Sequence, residues 1–299
     1  MKLINTKFIM MTIMLFSIVN LFGQNEIEIR EGKKMMSLGE SNAFMIMVPQ
    51  INVKEFEKNW GKKLKEGSKE KVEKANDEMF ILNAVKKRIT SEPINIYSRF
   101  YETPNGIELV VFYQTLNGFI STEGDHEKAS AVKVVLTEFG EEMYRLAVEN
   151  ELSNENSALK SLEKDLDKMI KDNEKMHKDI SSFEREIERT KQEIAENLGD
   201  QERLSRDIEI QKEVLHRIAG ATEEQLEVQQ KKLDGLERDR KKLIKQNEKM
   251  HVDIDNLEAK IRDRERDIVK NNEEQKLKTI EITSQKEVIL NVKKKLKSI

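Results

Sequence analysis

The sequence predicts an α+β protein: a small two-layer α/β-sandwich-like domain followed by a long antiparallel α-helical coiled-coil hairpin. Three observations predict it. The run Asn173-Glu174-Lys175-Met176-His177 recurs letter for letter as Asn247-Glu248-Lys249-Met250-His251, an offset of 74, and residues 162–180 match residues 236–254 at 13 of 19 positions. Half the chain is therefore two copies of one segment. Both copies carry apolar residues at the two seam positions of a heptad, with charge elsewhere. The stretch before them has short alternating or wholly apolar runs, bounded by Gly, Pro and Asn, as strands and turns do.

Composition points the same way. The 299 residues are 36% charged and 5% aromatic, which suits long helices better than an enzyme core. Lys+Arg 53 against Asp+Glu 56 leaves a net charge of −3, so no single-sign field recruits nucleic acid or an anionic membrane. Cys is absent, which excludes disulfides, thiol chemistry and a lipidated cysteine.

Residues 1–23 have the pattern of a secretory signal. Lys2 and Lys7 precede the apolar run 8–22, which stops at Gly23 before Gln24, Asn25 and Glu26. The alternative is an uncleaved anchor, but the run holds Thr12, Ser17 and Asn20 and is shorter than the roughly 20 apolar residues a spanning helix needs. The expectation is cleavage after Gly23, with no membrane span in the remainder, and a periplasmic or extracellular destination.

Residues 24–150 form the α+β domain. Phe44 to Val48 is apolar on both faces and stops at Pro49, as a central strand would. Asn52 is a helix N-cap, Val53, Phe56, Trp60 and Leu64 share one face, and the helix ends near Gly67. Strands follow at 79–85, 94–101 and 107–113, the last two joined by Thr103-Pro104-Asn105-Gly106, where Asn-Gly accepts positive φ in a hairpin. A helix from near Asp125 presents Val132, Val135, Leu136, Phe139, Met143 and Leu146. The resulting order is strand, helix, three strands, helix.

Residues 151–299 form the hairpin: a helix to about 219, a turn at about 220–222 and a helix over about 223–297. One seam row steps by seven from Leu152 to Leu215 and its companion from Leu162 to Ile218; the second copy has rows from Leu226 to Leu296 and from Leu236 to Ile299. The offset of 74 is ten heptads and four residues, so the copies cannot share one uninterrupted seam. Between them Gly220 suits a helix end, and Thr222 with Gln225 suits a capping box. A fold-back explains this, and a continuous rod with one stutter remains the alternative. In a fold-back centred on Thr222, facing residues have numbers summing to 444. Asn197 then meets Asn247, Asn173 meets Asn271, Ile187 meets Leu257, Phe183 meets Ile261 and Val148 meets Leu296. Paired asparagines satisfy one another where a lone one would be costly. Each arm would be about 110 Å long at 1.5 Å per residue. Arg240, Gln201, Gln275, Arg264 and Lys278 make the seam imperfect, through exposure at a groove or through helices from a second chain. Gly199 and Gly235 lie outside the seam, as weak points only.

The sequence offers no catalytic, cofactor-binding or metal-ligating residue and implies no cofactor. No P-loop, G-x-S-x-G or dinucleotide fingerprint is present. His177 and His251 are repeat mates, each one residue past a seam Met and without enough converging ligands for a metal; the other histidines are His126 and His216. Trp60, Tyr97 and Tyr101 are ligand contacts if exposed and packing residues otherwise. The eight lysines between Lys54 and Lys74 alternate with Glu55, Glu57, Glu66, Glu70 and Glu73, a solvated face rather than a nucleic-acid patch. Lys293, Lys294, Lys295 and Lys297 either dock an anion or complement the dipole of the helix end.

The signal ending in Phe22-Gly23-Gln24, the stretch Met36-Ser37-Leu38-Gly39-Glu40-Ser41-Asn42-Ala43-Phe44, the strand at 108–113 and Gln285-Lys286-Glu287-Val288 before the lysine-rich end together resemble a group of uncharacterised exported proteins of Bacteroidota. That resemblance implies envelope location and a small α+β domain joined to helices, and supplies no activity. The functional expectation is a non-enzymatic periplasmic or cell-envelope structural or protein-interaction protein that uses the hairpin as spacer or assembly arm. Its partners would be envelope proteins, with a homo-oligomer through the coiled coil as one form, no nucleic acid, and no membrane span after signal cleavage. The alternative is a periplasmic holdase-type chaperone, by architectural analogy; a hydrolase site in the small domain is a third reading.

Overall fold

The computed structural model of the chain describes residues 27–218, 220 and 222–299. The signal expected at 1–23 lies outside them, as do Ala219 and Ala221 of the turn. The protein is α+β with a helical hairpin. Among the described residues two compact units are present: 27–159 together with Gln285–Ile299, and Lys160–Ser284.

In the first unit β1 (Ile29–Met36) and β2 (Gly39–Val48) precede α1 (Val53–Lys65), followed by β3 (Val72–Ala75), β4 (Glu78–Ala84), β5 (Ile94–Thr103), β6 (Gly106–Thr115) and β7 (Gly118–Phe119). They make one antiparallel sheet in the order β1-β2-β6-β5-β4-β3, with β7 beside β6. Helix α2 (His126–Arg217) starts here and α3 (Glu223–Ser298) ends here. The apolar run at 44–48 is central because it pairs on both sides, with β1 and with β6.

Three strands depart from the expected order. β1 is Arg- and Lys-rich, β3 carries Glu73 and Lys74, and β7 has two residues. β1 and β3 are the two ends of the sheet, where charge protects a free edge and apolar alternation is not needed. Local turn chemistry marks two of the three. Asn76 and Asp77 both have positive φ, 51° and 62°, as a two-residue type I′ hairpin between β3 and β4 requires. Thr115-Leu116-Asn117-Gly118 repeats the Thr-x-Asn-Gly pattern of 103–106. In each, the Thr hydroxyl donates to the Gly carbonyl (2.9 and 3.0 Å) and accepts from the Asn N–H. Positive φ falls on the glycines alone, not on the preceding asparagines. At Gly106 a Cβ would lie 2.2 Å from the Val48 carbonyl oxygen, so this turn admits no side chain.

One sheet face packs on α1 and α2. Phe56, Trp60 and Leu64 of α1 are buried, as their spacing predicts, and the Trp60 and Phe139 rings stack obliquely at 4.9 Å. Asn52 caps α1 by accepting from the Glu55 N–H at 2.9 Å, and Asp125 caps α2 by accepting from the Lys128 N–H at 3.0 Å. The other face has a smaller cluster of Met36, Ala43, Met45, Val110 and Phe112. The β1–β2 turn reaches across this face: the Ser37 N–H donates to buried Glu78 at 2.8 Å, and Glu78 pairs with Arg99 at 3.0 Å.

The C-terminal end of α3 belongs to this core. Val292 is buried with Phe139, Tyr144 and Val148, and Leu296 and Ile299 pack against the same cluster. Helix α2 crosses 150 and 151 unbroken, so the boundary expected there marks no break in the helix. The physical reason is that residues on both sides of it, Val148 and Leu152, pack into one core.

Lys86 closes the far end of α1. Its ammonium donates to the carbonyls of Lys63 (3.1 Å) and Glu66 (2.6 Å), adding a donor where the helix's own hydrogen bonds run out. Burial, together with nearby Lys63, pushes its pKa down to about 8 against the opposing pull of Glu66. Between pH 8 and the ordinary lysine value near 10.5, the unfolded chain holds a proton that the folded chain has released. Stability therefore rises with pH across that window. Urea titrations at several pH values should show this slope, and Lys86→Met should flatten it; an unchanged slope would contradict the assignment.

Candidate functional site in the paired helical arms

In the second unit arm 1 is residues 160–217 and arm 2 is residues 223–284. Every predicted seam position of both arms is buried or half-buried except Arg240, which is exposed. The arms run antiparallel in the expected register. The Asn197 side-chain amide donates to Asn247 Oδ1 at 3.1 Å, and that of Asn173 donates to Asn271 Oδ1 at 3.3 Å and to Asn272 Oδ1 at 2.9 Å. Ile187, Ile194, Met250, Ile254 and Leu257 form one buried cluster, with Phe183 and Ile261 packed against it. A fold-back thus replaces the continuous rod.

The turn matches half of the capping box. The Thr222 N–H donates to Gln225 Oε1 at 3.3 Å, and the Leu226 N–H to the Thr222 carbonyl at 3.1 Å. Gly199 and Gly235 are helical, and a methyl at either would meet open space. Gly199→Ala and Gly235→Ala should each stabilise the helices by about 0.5–1 kcal/mol. A double variant with an unchanged urea midpoint would contradict that.

The polar seam residues divide by arm. Gln211 donates to Gln229 Oε1 at 2.8 Å, and Gln275 donates to Asn271 Oδ1 at 2.6 Å and to the Met169 carbonyl at 3.5 Å. All three cations of the seam, Arg240, Arg264 and Lys278, are in arm 2. In the observed register they stand opposite Leu204, Ile180 and Leu166 of arm 1, which remain half-buried. Two of them lean out of the seam: Arg264 meets Asp179 and Asp267, each at 3.4 Å, and Lys278 meets Glu281 at 2.7 Å. The long apolar stems cover seam surface while the charges reach water and carboxylates.

The histidines of the repeated Asn-Glu-Lys-Met-His run are exposed, while its Asn and Met residues face the seam. Among the described residues no group of three or more His, Asp or Glu is placed to hold a metal ion. Trp60 is buried and donates to Ser98 Oγ at 2.7 Å, so it is core. Tyr97 lies half-buried beside the Met45–Phe112 cluster, and Tyr101 is exposed on β5. The lysine run divides among α1, the loop after it and the edge strand β3, where Lys74 pairs with Glu57.

In the first unit the lysine-rich end has a structural role the sequence did not reveal. Lys295 is buried, bonds to Gln50 and Glu151 (2.8 Å to the latter) and lies 5.7 Å from the Tyr144 ring centre. Lys293, Lys294 and Lys297 are exposed. Beside Lys295 is a cleft of about 260 Å³ lined by Gln50, Asn52, Glu55, Asn150, Glu151 and Asn154. Its polar groups bond largely to one another, for instance Asn150 to Glu55 at 2.8 Å. No histidine lines it, and its chemistry is that of a clasp on the helix end.

No protein-family model and no curated protein matches the chain. Among solved structures it is similar to the crystal structure of the Smc head domain with a coiled coil and joint derived from Pyrococcus yayanosii. Identity is 19% over 74% of this chain and 54% of that one, with a TM-score of 0.22. The chain spans about half the length of that structure, and a likeness this low carries no argument about fold or function. No helix among the described residues is long and apolar enough to cross a membrane.

Proposed function

We propose that this is a non-enzymatic structural or interaction protein of the cell envelope, exported through residues 1–23, with the hairpin as spacer or assembly arm. The observation that carries the reading is the seam: nearly every apolar heptad position is spent on holding two helices in one register, and the asparagine pairs fix that register. Such a construction holds surfaces at a set separation and presents charged flanks to partners. Exposed apolar residues on the arms, such as Ile170, Leu198, Ile210, Val228 and Val269, are mostly isolated. That favours an arm over a holdase, which needs contiguous apolar surface for unfolded clients. Crosslinking in cells from a photoreactive residue at an exposed arm position, followed by capture of the full chain, should recover one recurrent envelope protein. Recovery of none, or a chain retained in the cytoplasm with residues 1–23 uncleaved, would overturn the proposal. Suppression of client aggregation in a light-scattering assay at stoichiometric amounts would favour the holdase instead.

A further inference from the structure

We infer that the outward face of α1 is a docking ridge for the acidic side of the helical hairpin in a second copy of this chain. This rests on the assembly-arm reading and names its partner. Lys54, Lys58, Lys62 and Lys65 recur at helical spacing in one row, on the side of α1 opposite buried Phe56, Trp60 and Leu64. All four are exposed. The glutamates that alternate with them in sequence leave this row for its flanks: Glu55 accepts from the Asn150 amide at 2.8 Å, Glu57 pairs with Lys74, and Glu66 pairs with Lys63 at 3.0 Å. Among the described residues none of the four lysines is in an ion pair. A run that is mixed in sequence is a cationic ridge in the fold.

One side of the hairpin has the opposite excess. Asp179 and Asp267, whose numbers sum to 446, both meet Arg264 at 3.4 Å, so these positions flank the seam on one side. Of the layers stepping by seven from Asp165–Glu281 to Asp207–Asp239, five set carboxylate against carboxylate and one, Glu186–Lys260, sets opposite charges together. Such flanking positions ordinarily hold opposite charges, and like charges there repel. Asp165 and Asp172 have no ion pair among the described residues, and their mates Glu281 and Glu274 meet only Lys278 and Lys270 of their own helix, at 2.7 and 3.8 Å. All four carboxylates are exposed. Among the described residues no group of three or more acids is placed to hold a metal ion, and a row of cations suits this side better.

The spacings of the two surfaces agree. The midpoints of Lys54–Lys58 and of Lys62–Lys65 lie about 11 Å apart along α1, and consecutive heptad layers of the hairpin lie about 10.5 Å apart. Each lysine pair therefore meets one carboxylate pair, over Asp165–Glu281 and Asp172–Glu274. The outward row of α1 carries no aromatic or large apolar side chain, so it has nothing to stack on a nucleic-acid base or to enter a lipid surface. Exposed ion pairs are individually weak, so the contact is reversible and fades as salt rises.

Carbodiimide coupling joins amines to carboxylates only where they touch, and a mixture of isotopically light and heavy full-length chains shows whether the join lies between copies. Mass spectrometry should find α1 lysines joined to Asp165, Asp172, Glu274 or Glu281 across the two isotopes. Sedimentation at low salt should show self-association that weakens at least about tenfold in Lys54→Glu/Lys58→Glu/Lys62→Glu/Lys65→Glu and in Asp165→Lys/Asp172→Lys/Glu274→Lys/Glu281→Lys. Combining both sets in one chain should restore it, because the charges are then exchanged rather than lost. The coupling needs no variant, so it decides the matter even where a variant fails to fold. Couplings confined to single isotopes, or a parent chain that stays monomeric at low salt, would overturn the inference and leave the spacer reading standing, since capture of a different envelope protein tests that reading. Association that survives both reversals would overturn the assignment to this ridge.

Discussion

Replacing Val292 with Asp should lower the stability of the N-terminal domain by about 3–5 kcal/mol, although the residue lies near the chain's end. Val292 is 5% exposed and shares a core with Phe139, Tyr144 and Val148. A carboxylate there has no cation inside the cluster to pair with, since the nearby Lys295 is already engaged by Glu151 and Gln50. The reporter is built in: Trp60 is the only tryptophan and is buried in the same core. Its fluorescence should follow urea unfolding of the domain with a midpoint shifted far down in Val292→Asp. Lys293→Asp, one residue away on the exposed side, should move it by no more than about 0.5 kcal/mol. If both substitutions leave the Trp60 transition alone, the end of α3 is not part of the domain's core.

The second large effect concerns the asparagine layers. Asn247→Leu should destabilise the hairpin by about 1–3 kcal/mol, because it leaves the Asn197 amide in the seam without its acceptor. Asn247 is 7% exposed and its Oδ1 receives the Asn197 amide at 3.1 Å. The double change Asn197→Leu/Asn247→Leu removes both polar groups at once and should recover most of the loss, giving a coupling energy of opposite sign to the single effects. Urea unfolding followed by circular dichroism checks this cycle. Losses that simply add would mean the two residues do not meet.

The helical half was legible in the sequence to a degree the sheet was not, and the reason is physical. A seam is apolar at most heptads over its whole length, so the signal accumulates, and two asparagine pairs within it fix register because each asparagine needs a partner. A sheet edge has no such requirement. β1 and β3 escaped because their lysines, arginine and glutamates do at an edge what alternation does in the middle. The hairpins of β3 and β7 were written instead in Asn76-Asp77 and in the second Thr-x-Asn-Gly turn, which mark turns without naming the strands beside them. Lys295 escaped for another reason. Four lysines near a helix end look alike in sequence, and only the packing of Tyr144, Gln50 and Glu151 around one of them sets it apart. The division of seam cations by arm was visible residue by residue, but it acquired meaning only once the register told which apolar residue each one faces.

That register is the claim on which the rest depends, and disulfide mapping in the monomer tests it most directly. With no native cysteine to interfere, Asn197→Cys can be combined in turn with Asn247→Cys, with Ile254→Cys and with Arg240→Cys, the last two displaced by one heptad in either direction. The observed pairing predicts rapid closure within one chain for 197 with 247 and little for the other two, because a heptad displaces the thiols by about 10 Å along the axis. Faster closure with 254 or 240 would contradict the register, and the absence of any closure within one chain would contradict the hairpin.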